Sequence, residues 1–144
     1  MRLTLTPSTD PDAYPFSHRV RTRFAETDAM GVVHHAAYLP YLEEARVELL
    51  RHLGHPYTDL RSGGVDLVVL ELFVQYRHPL HFDDQVDIGL VVGAVTRTAF
   101  QIAYLLRVAD EVRATAVTVH GAVDAGGRAR RLPDWFAGPQ FTRP

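Results

Sequence analysis

The chain of 144 residues contains no cysteine and no lysine. Without cysteine there is no disulfide, no thiolate zinc site and no cysteine nucleophile. Without lysine there is no Schiff-base chemistry, no phosphate-loop lysine and no Ser–Lys dyad. No apolar run reaches about 18 residues, so no membrane-spanning helix is expected. Residues 1–14 lack the apolar stretch of a secretory signal, which points to the cytoplasm. Serines are few, and none lies in a Gly-x-Ser-x-Gly elbow, so a serine triad has no support. Arginine supplies all 15 basic residues against 17 acidic ones, for a formal net charge of −2. That balance gives no general footprint for nucleic acid, and an anionic ligand would need a local arginine cluster.

What is present is the patterning of one domain with an ordinary core, 47% of its residues being hydrophobic. Residues 1–17, with Pro7, Pro11 and Pro15, read as an irregular arm. Residues 19–25 alternate, with Val20, Thr22 and Phe24 on one face and arginines on the other, as in a half-exposed strand. Tyr38, Leu42, Ala45, Leu49 and Leu53 recur at helical spacing, so a long helix should start near Ala36 or Ala37. Gly54 fits the position just past its end. Pro40 is tolerable only in the first turn, where amides have no intrahelical acceptor. A loop follows, then four strands at 67–76, 85–95, 100–108 and 112–123, with a polar loop at 79–84. Consecutive strands with short links are expected to pair antiparallel. The expectation is an α+β domain over 18–136, a two-layer antiparallel sheet of about five strands around one long helix, with 137–144 a tail. One helix cannot cover both faces of such a sheet, so strands 67–76 and 85–95, apolar on both sides, predict a homodimer or homotetramer.

The stretch 26–38 carries the chemistry. It holds two carboxylates, a glycine, two histidines and the start of the helix. A strand feeding a loop that ends at a helix N-terminus presents free N–H groups, and the helix dipole favours negative charge there. A carboxylate in that loop suits acyl transfer, because the amides stabilise an oxyanion while the carboxylate activates water or attacks. An Asp before a helix is more often a cap or turn residue, so from composition alone both readings of Asp28 stand. Adjacent His34 and His35 diverge on a regular element and make a poor metal pair. His78, His81, Asp83 and Asp84 lack a third element to fix a cation, and no metal or cofactor is expected. Glu43 and Glu44 are expected to form helix ion pairs with Arg46 or Arg51.

The run from Thr22 to Tyr38, with Asp28, Gly31, Val32, Val33, His35 and Tyr38 in order, resembles the motif of hotdog-fold acyl-CoA thioesterases. Within these it is similar to the 4-hydroxybenzoyl-CoA thioesterase family, and especially to the bacterial branch associated with the Tol-Pal system. Glu43-Glu44-Ala45-Arg46 and the Tyr76–Pro79–Asp83–Asp84 loop extend the likeness. The resemblance implies a hotdog fold and an acyl-CoA substrate. It implies Asp28 as general base or nucleophile, with the amide of His35 polarising the thioester carbonyl. It also implies substrate contacts at Gly31, Val33, Tyr38 and Arg97, the last toward the phosphates of coenzyme A, and a site at a subunit boundary. Two departures bear on substrate preference: Phe24 stands where that branch has tyrosine, and Ala37 where many relatives carry a polar residue. The competing expectation is a non-catalytic hotdog scaffold that binds an acyl-carrier or envelope-associated partner. A metal-dependent hydrolase is a third.

Overall fold

The computed structural model describes residues 1–137; the expected tail at 137–144 lies, apart from Ala137, outside them. The elements run β1 (Phe16–Arg21), α1 (Tyr38–His52), α2 (Tyr57–Ser62), β2 (Asp66–Tyr76), β3 (Gln85–Gly93), β4 (Ala99–Val108) and β5 (Glu111–Val123), with short 3-10 turns between some of them. The five strands form one antiparallel sheet in the order β1-β3-β4-β5-β2, with α1 against one face. This is the α+β hotdog arrangement. The expectation that neighbours in sequence pair is corrected at one point: β2 and β3 are not neighbours, because β2 crosses to the far edge and pairs with β5.

The helix buries Tyr38, Tyr41, Leu42, Ala45 and Leu49. Beneath it the strands supply alternate residues, Val86, Ile88, Leu90 and Val92 from β3 and Phe100, Ile102, Tyr104 and Leu106 from β4. Past its end, Gly54 takes a φ of +80° and donates to the Arg51 carbonyl, the close a glycine allows. The loop expected after it contains the short α2.

Two further differences have local causes. The first strand starts at Phe16 and stops at Arg21 rather than spanning 19–25. Thr22 still exchanges backbone bonds with Asp83 and Asp84. After it, Glu26 accepts from the Arg23 amide and guanidinium, and the chain turns into a 3-10 helix at Phe24–Glu26. Phe24, expected to point inward, is 76% exposed. The second difference is that the N-terminal arm covers the outer face of β3 and β4. The buried Gln101 amide accepts from the amides of Thr4 and Leu5 at 3.0 and 3.1 Å and donates to the Arg2 carbonyl at 3.0 Å. Tyr14 rests on Gly89, where a Cβ would sit 2.8 Å from the tyrosine Cβ. The apolar outer face of β3 is therefore closed by its own chain. β2 stays open, with Val69, Leu70, Leu72 and Phe73 each 44–52% exposed.

Candidate active site

Two segments far apart in sequence build the groove at the start of α1. The Asp28 amide donates to the Val32 carbonyl at 2.8 Å and the Gly31 amide to the Asp28 carbonyl at 3.0 Å, closing a tight turn. Gly31 has a φ of +77°, a conformation that disfavours any side chain. The Asp28 side chain braces the same turn, one oxygen accepting from the Met30 amide at 2.8 Å. The loop then ties itself to the segment after β2. Val33 donates to the Leu80 carbonyl at 2.7 Å, Val32 bridges His81, and the buried Tyr38 hydroxyl accepts from the Leu80 amide at 3.3 Å. The two stretches read separately in the sequence, 26–38 and 76–84, are one structure.

Behind the loop, Glu26 is a buttress. Partial burial works against its ionised form, but bonds from the Tyr41 hydroxyl at 2.6 Å and from the Arg23 amide at 2.7 Å outweigh that and hold its carboxyl below the usual range. Of the two loop carboxylates, Glu26 is thus consumed by structure, whereas Asp28 lines the groove.

The groove encloses about 320 Å³ and is lined by Asp28, Met30, Val33, His35, Tyr38 and Tyr76, among others. Its helix end is a 3-10 turn, His35–Ala37, that leads into α1. His34 caps it: the ring accepts from the Ala36 amide at 3.1 Å and its carbonyl from the Ala37 amide at 2.9 Å. The His35 amide has no acceptor among the described residues. Tyr76, missed by the sequence reading as an individual residue, donates its hydroxyl to the His35 carbonyl at 2.8 Å and packs edge-on against Tyr38 at 4.9 Å. It thereby fixes the peptide that carries the open amide. Burial keeps both tyrosine hydroxyls protonated beyond the ordinary phenol range. The His34 and His35 rings lie 4.2 Å apart rather than diverging, since His34 precedes the helix in extended backbone.

Of the residues singled out in the sequence, Asp28, Val33, His35 and Tyr38 line this groove, and Gly31 forms the turn beneath it. Arg97 is elsewhere, exposed between β3 and β4 in a second groove with Arg131. Arg77 lines the Asp28 groove, whereas Arg113 is spent on the Pro79 carbonyl at 2.6 Å and Asp84 at 3.3 Å. Glu44 meets His18 at 2.6 Å, Glu43 approaches Arg46 only to 4.0 Å, and Arg51 pairs with Glu48. Among the described residues no three His, Asp or Glu side chains stand together as metal ligands, and no helix is long and apolar enough to cross a membrane.

Comparison with known proteins agrees with this architecture. The chain is 33% identical over 124 residues to the 1,4-dihydroxy-2-naphthoyl-CoA hydrolase of Synechococcus elongatus, covering 79% of this chain and 89% of that one. It is 36% identical over 84 residues to the acyl-CoA thioester hydrolase YbgC of Shigella flexneri, covering 58% and 63%. A hypothetical protein of Aquifex aeolicus of known crystal structure superposes with a TM-score of 0.80 at 39% identity, covering 83% of this chain and 94% of that one. The profile of the thioesterase-like superfamily matches residues 22–139, and the chain belongs to that superfamily.

Proposed function

We propose that the protein is an acyl-CoA thioesterase in which Asp28 and the His35 amide act on the thioester from opposite sides. The observation that carries the reading is their placement: a carboxylate and an N–H at the start of a helix, without an acceptor among the described residues, line one groove. Asp28 takes a proton from water, the resulting hydroxide attacks the carbonyl carbon, and charge builds on the carbonyl oxygen. The His35 amide, aided by the helix dipole, donates to that oxygen. Collapse expels the coenzyme A thiolate, which takes up the proton. In the alternative route the Asp28 carboxylate itself attacks and water hydrolyses the anhydride. Gly31 keeps the turn close to the thioester, and Val33 and Tyr38 form the buried floor. Arg97 would reach coenzyme A phosphates only from a neighbouring subunit, since it lies outside the groove of its own chain.

The finer placement is in the 4-hydroxybenzoyl-CoA thioesterase family near the Tol-Pal-associated branch, supported by the Asp28–Tyr38 block and by the likeness to YbgC. The assembly is a homodimer, or a tetramer built from it, joined along β2. An eleven-residue edge strand with apolar side chains on both faces invites a second copy. The test is hydrolysis of benzoyl-, hydroxybenzoyl-, short- and long-chain acyl-CoA, followed with a thiol-detecting dye, with Asp28→Asn alongside. Turnover of some member by the natural chain and its loss in the variant support the reading. Equal rates, or none from either protein, overturn it in favour of a non-catalytic scaffold.

A further inference from the structure

A second enclosed space, about 330 Å³, lies between α1 and the sheet, away from the Asp28 groove. It falls within the range of small-molecule sites, roughly 300–1,000 Å³. One stripe of α1 forms its roof, with Glu43, Arg46, Val47 and Leu50 at the three- and four-residue spacing of a helix face. Its floor comes from Val92, Phe100 and Ile102 of β3 and β4 and from His120 of β5. The walls are apolar apart from Glu43, Tyr57, Arg46 and His120, and the last two are the ends of a chain of polar groups. The Arg46 guanidinium donates to the Tyr104 hydroxyl at 3.3 Å, which meets the Thr118 hydroxyl at 2.8 Å, which meets His120 Nε2 at 2.7 Å.

The direction of this chain follows from its two ends. Burial, with Arg46 nearby, drives the His120 ring down to about 3, so it is neutral and carries one N–H. Arg46 can only donate, so the Tyr104 hydroxyl accepts from it; the acceptor within reach of the Tyr104 proton among the described residues is the Thr118 oxygen, and Thr118 in turn donates to His120 Nε2. Both hydroxyls of the chain are spent, and His120, stacked on Phe100 at 5.0 Å, lines the cavity as an uncharged ring. Arg46 is not spent. Its side chain is 17% exposed, and its nearest carboxylate, Glu43, lies 4.0 Å off and is itself 73% exposed. A pair of that length at the rim is weak and screened by solvent. A guanidinium so far removed from water, with one phenol as its close partner, is a strong anchor for an anion.

We propose that this cavity is a binding site for a small apolar carboxylate, an aromatic or branched-chain acid whose carboxylate meets Arg46 and whose hydrocarbon body packs against Phe100, Val92 and the face of His120. Such acids are the class of compound that thioester hydrolysis releases. The site is nevertheless independent of the catalytic reading, since none of its walls belongs to the Asp28 groove.

The test is calorimetric titration of the full chain with benzoate and with benzamide, its uncharged counterpart. Saturable binding of one benzoate per chain is expected, at least tenfold tighter than benzamide. Arg46→Met should weaken benzoate at least tenfold, Arg46→Lys should weaken it less, and Asp28→Asn should leave it unchanged. The ring resonances of His120 should shift on binding and those of His35 should not. Equal affinity for benzamide, no saturable binding, or shifts at His35 in place of His120 would each overturn the proposal. These outcomes are read on the natural chain, so they decide even if Arg46→Met fails to fold. Loss of binding in Asp28→Asn would place the acid in the catalytic groove instead.

Discussion

The two ends of the helix–sheet interface hold two hollows of nearly equal size, and they are built in opposite ways. The Asp28 groove is a construction of loops. Its shape is set by backbone hydrogen bonds among residues 26–38 and 76–81, and its polar groups face solvent. The Arg46 cavity is a construction of side chains on regular elements. Its shape is set by the register of β3, β4 and β5, and its polar groups are turned on one another. The first leaves an amide and the other oxygen of a carboxylate uncommitted among the described residues, as chemistry requires. The second satisfies its hydroxyls and leaves one cation, as recognition requires.

Separating the two experimentally is the sharpest use of this contrast. The largest effect is expected from Asp28→Asn, which should slow thioester hydrolysis by about 10²–10⁴-fold, the usual worth of a positioned general base. The carboxamide oxygen can still accept from the Met30 amide, so the urea midpoint should hardly move. A parallel fall in both would make Asp28 a turn residue only.

Next comes acid stability at the other end. His120 binds a proton in the unfolded chain near pH 6.5 but not in the fold, where its value is about 3. The unfolded state therefore holds more protons between these values. Stability is complete above pH about 6.5 and is lost on acidification, at about 1.4 kcal/mol per pH unit. Between pH 6.5 and 5 the natural chain should lose about 2 kcal/mol more than His120→Gln, measured by urea unfolding. Equal losses would show that His120 is not held neutral.

Gly31→Ala should destabilise by about 1–2 kcal/mol, because the φ of +77° costs a side chain that much even where space is free. The smallest effect is expected from Tyr76→Phe. Losing one bond to the His35 carbonyl should cost about 0.5–1.5 kcal/mol in kcat/KM, a two- to tenfold change, with little effect on benzoate binding.

The same contrast explains what the sequence made legible. Asp28, Gly31, His35 and Tyr38 sit within one short stretch, and the turn and cap chemistry that joins them is local. The strands after the helix could also be placed, since alternation and turn residues are local signals. Arg46, Tyr104, Thr118 and His120 share no spacing, because the sheet ladder brings them together. Even so, a lone histidine in the apolar run 112–123 was a signal that went unused. The crossing of β2 past β3, β4 and β5 was hidden for the same reason: a short link says nothing of the strand a chain passes over. The arm at 1–17 read as irregular, and it is, but its covering of β3 depends on Gly89 and Gln101, remote partners that no local pattern names.

β2 touches both hollows. Tyr76, at its last residue, stands in the Asp28 groove, and Leu67, near its first, walls the Arg46 cavity. A strand that pairs antiparallel with a copy of itself exchanges its ends across the two-fold axis. In the proposed dimer the Tyr76 end of each β2 would therefore lie beside the Leu67 end of the other, so that a change at one hollow would be felt first across the two-fold axis, at the other kind of hollow in the neighbouring subunit.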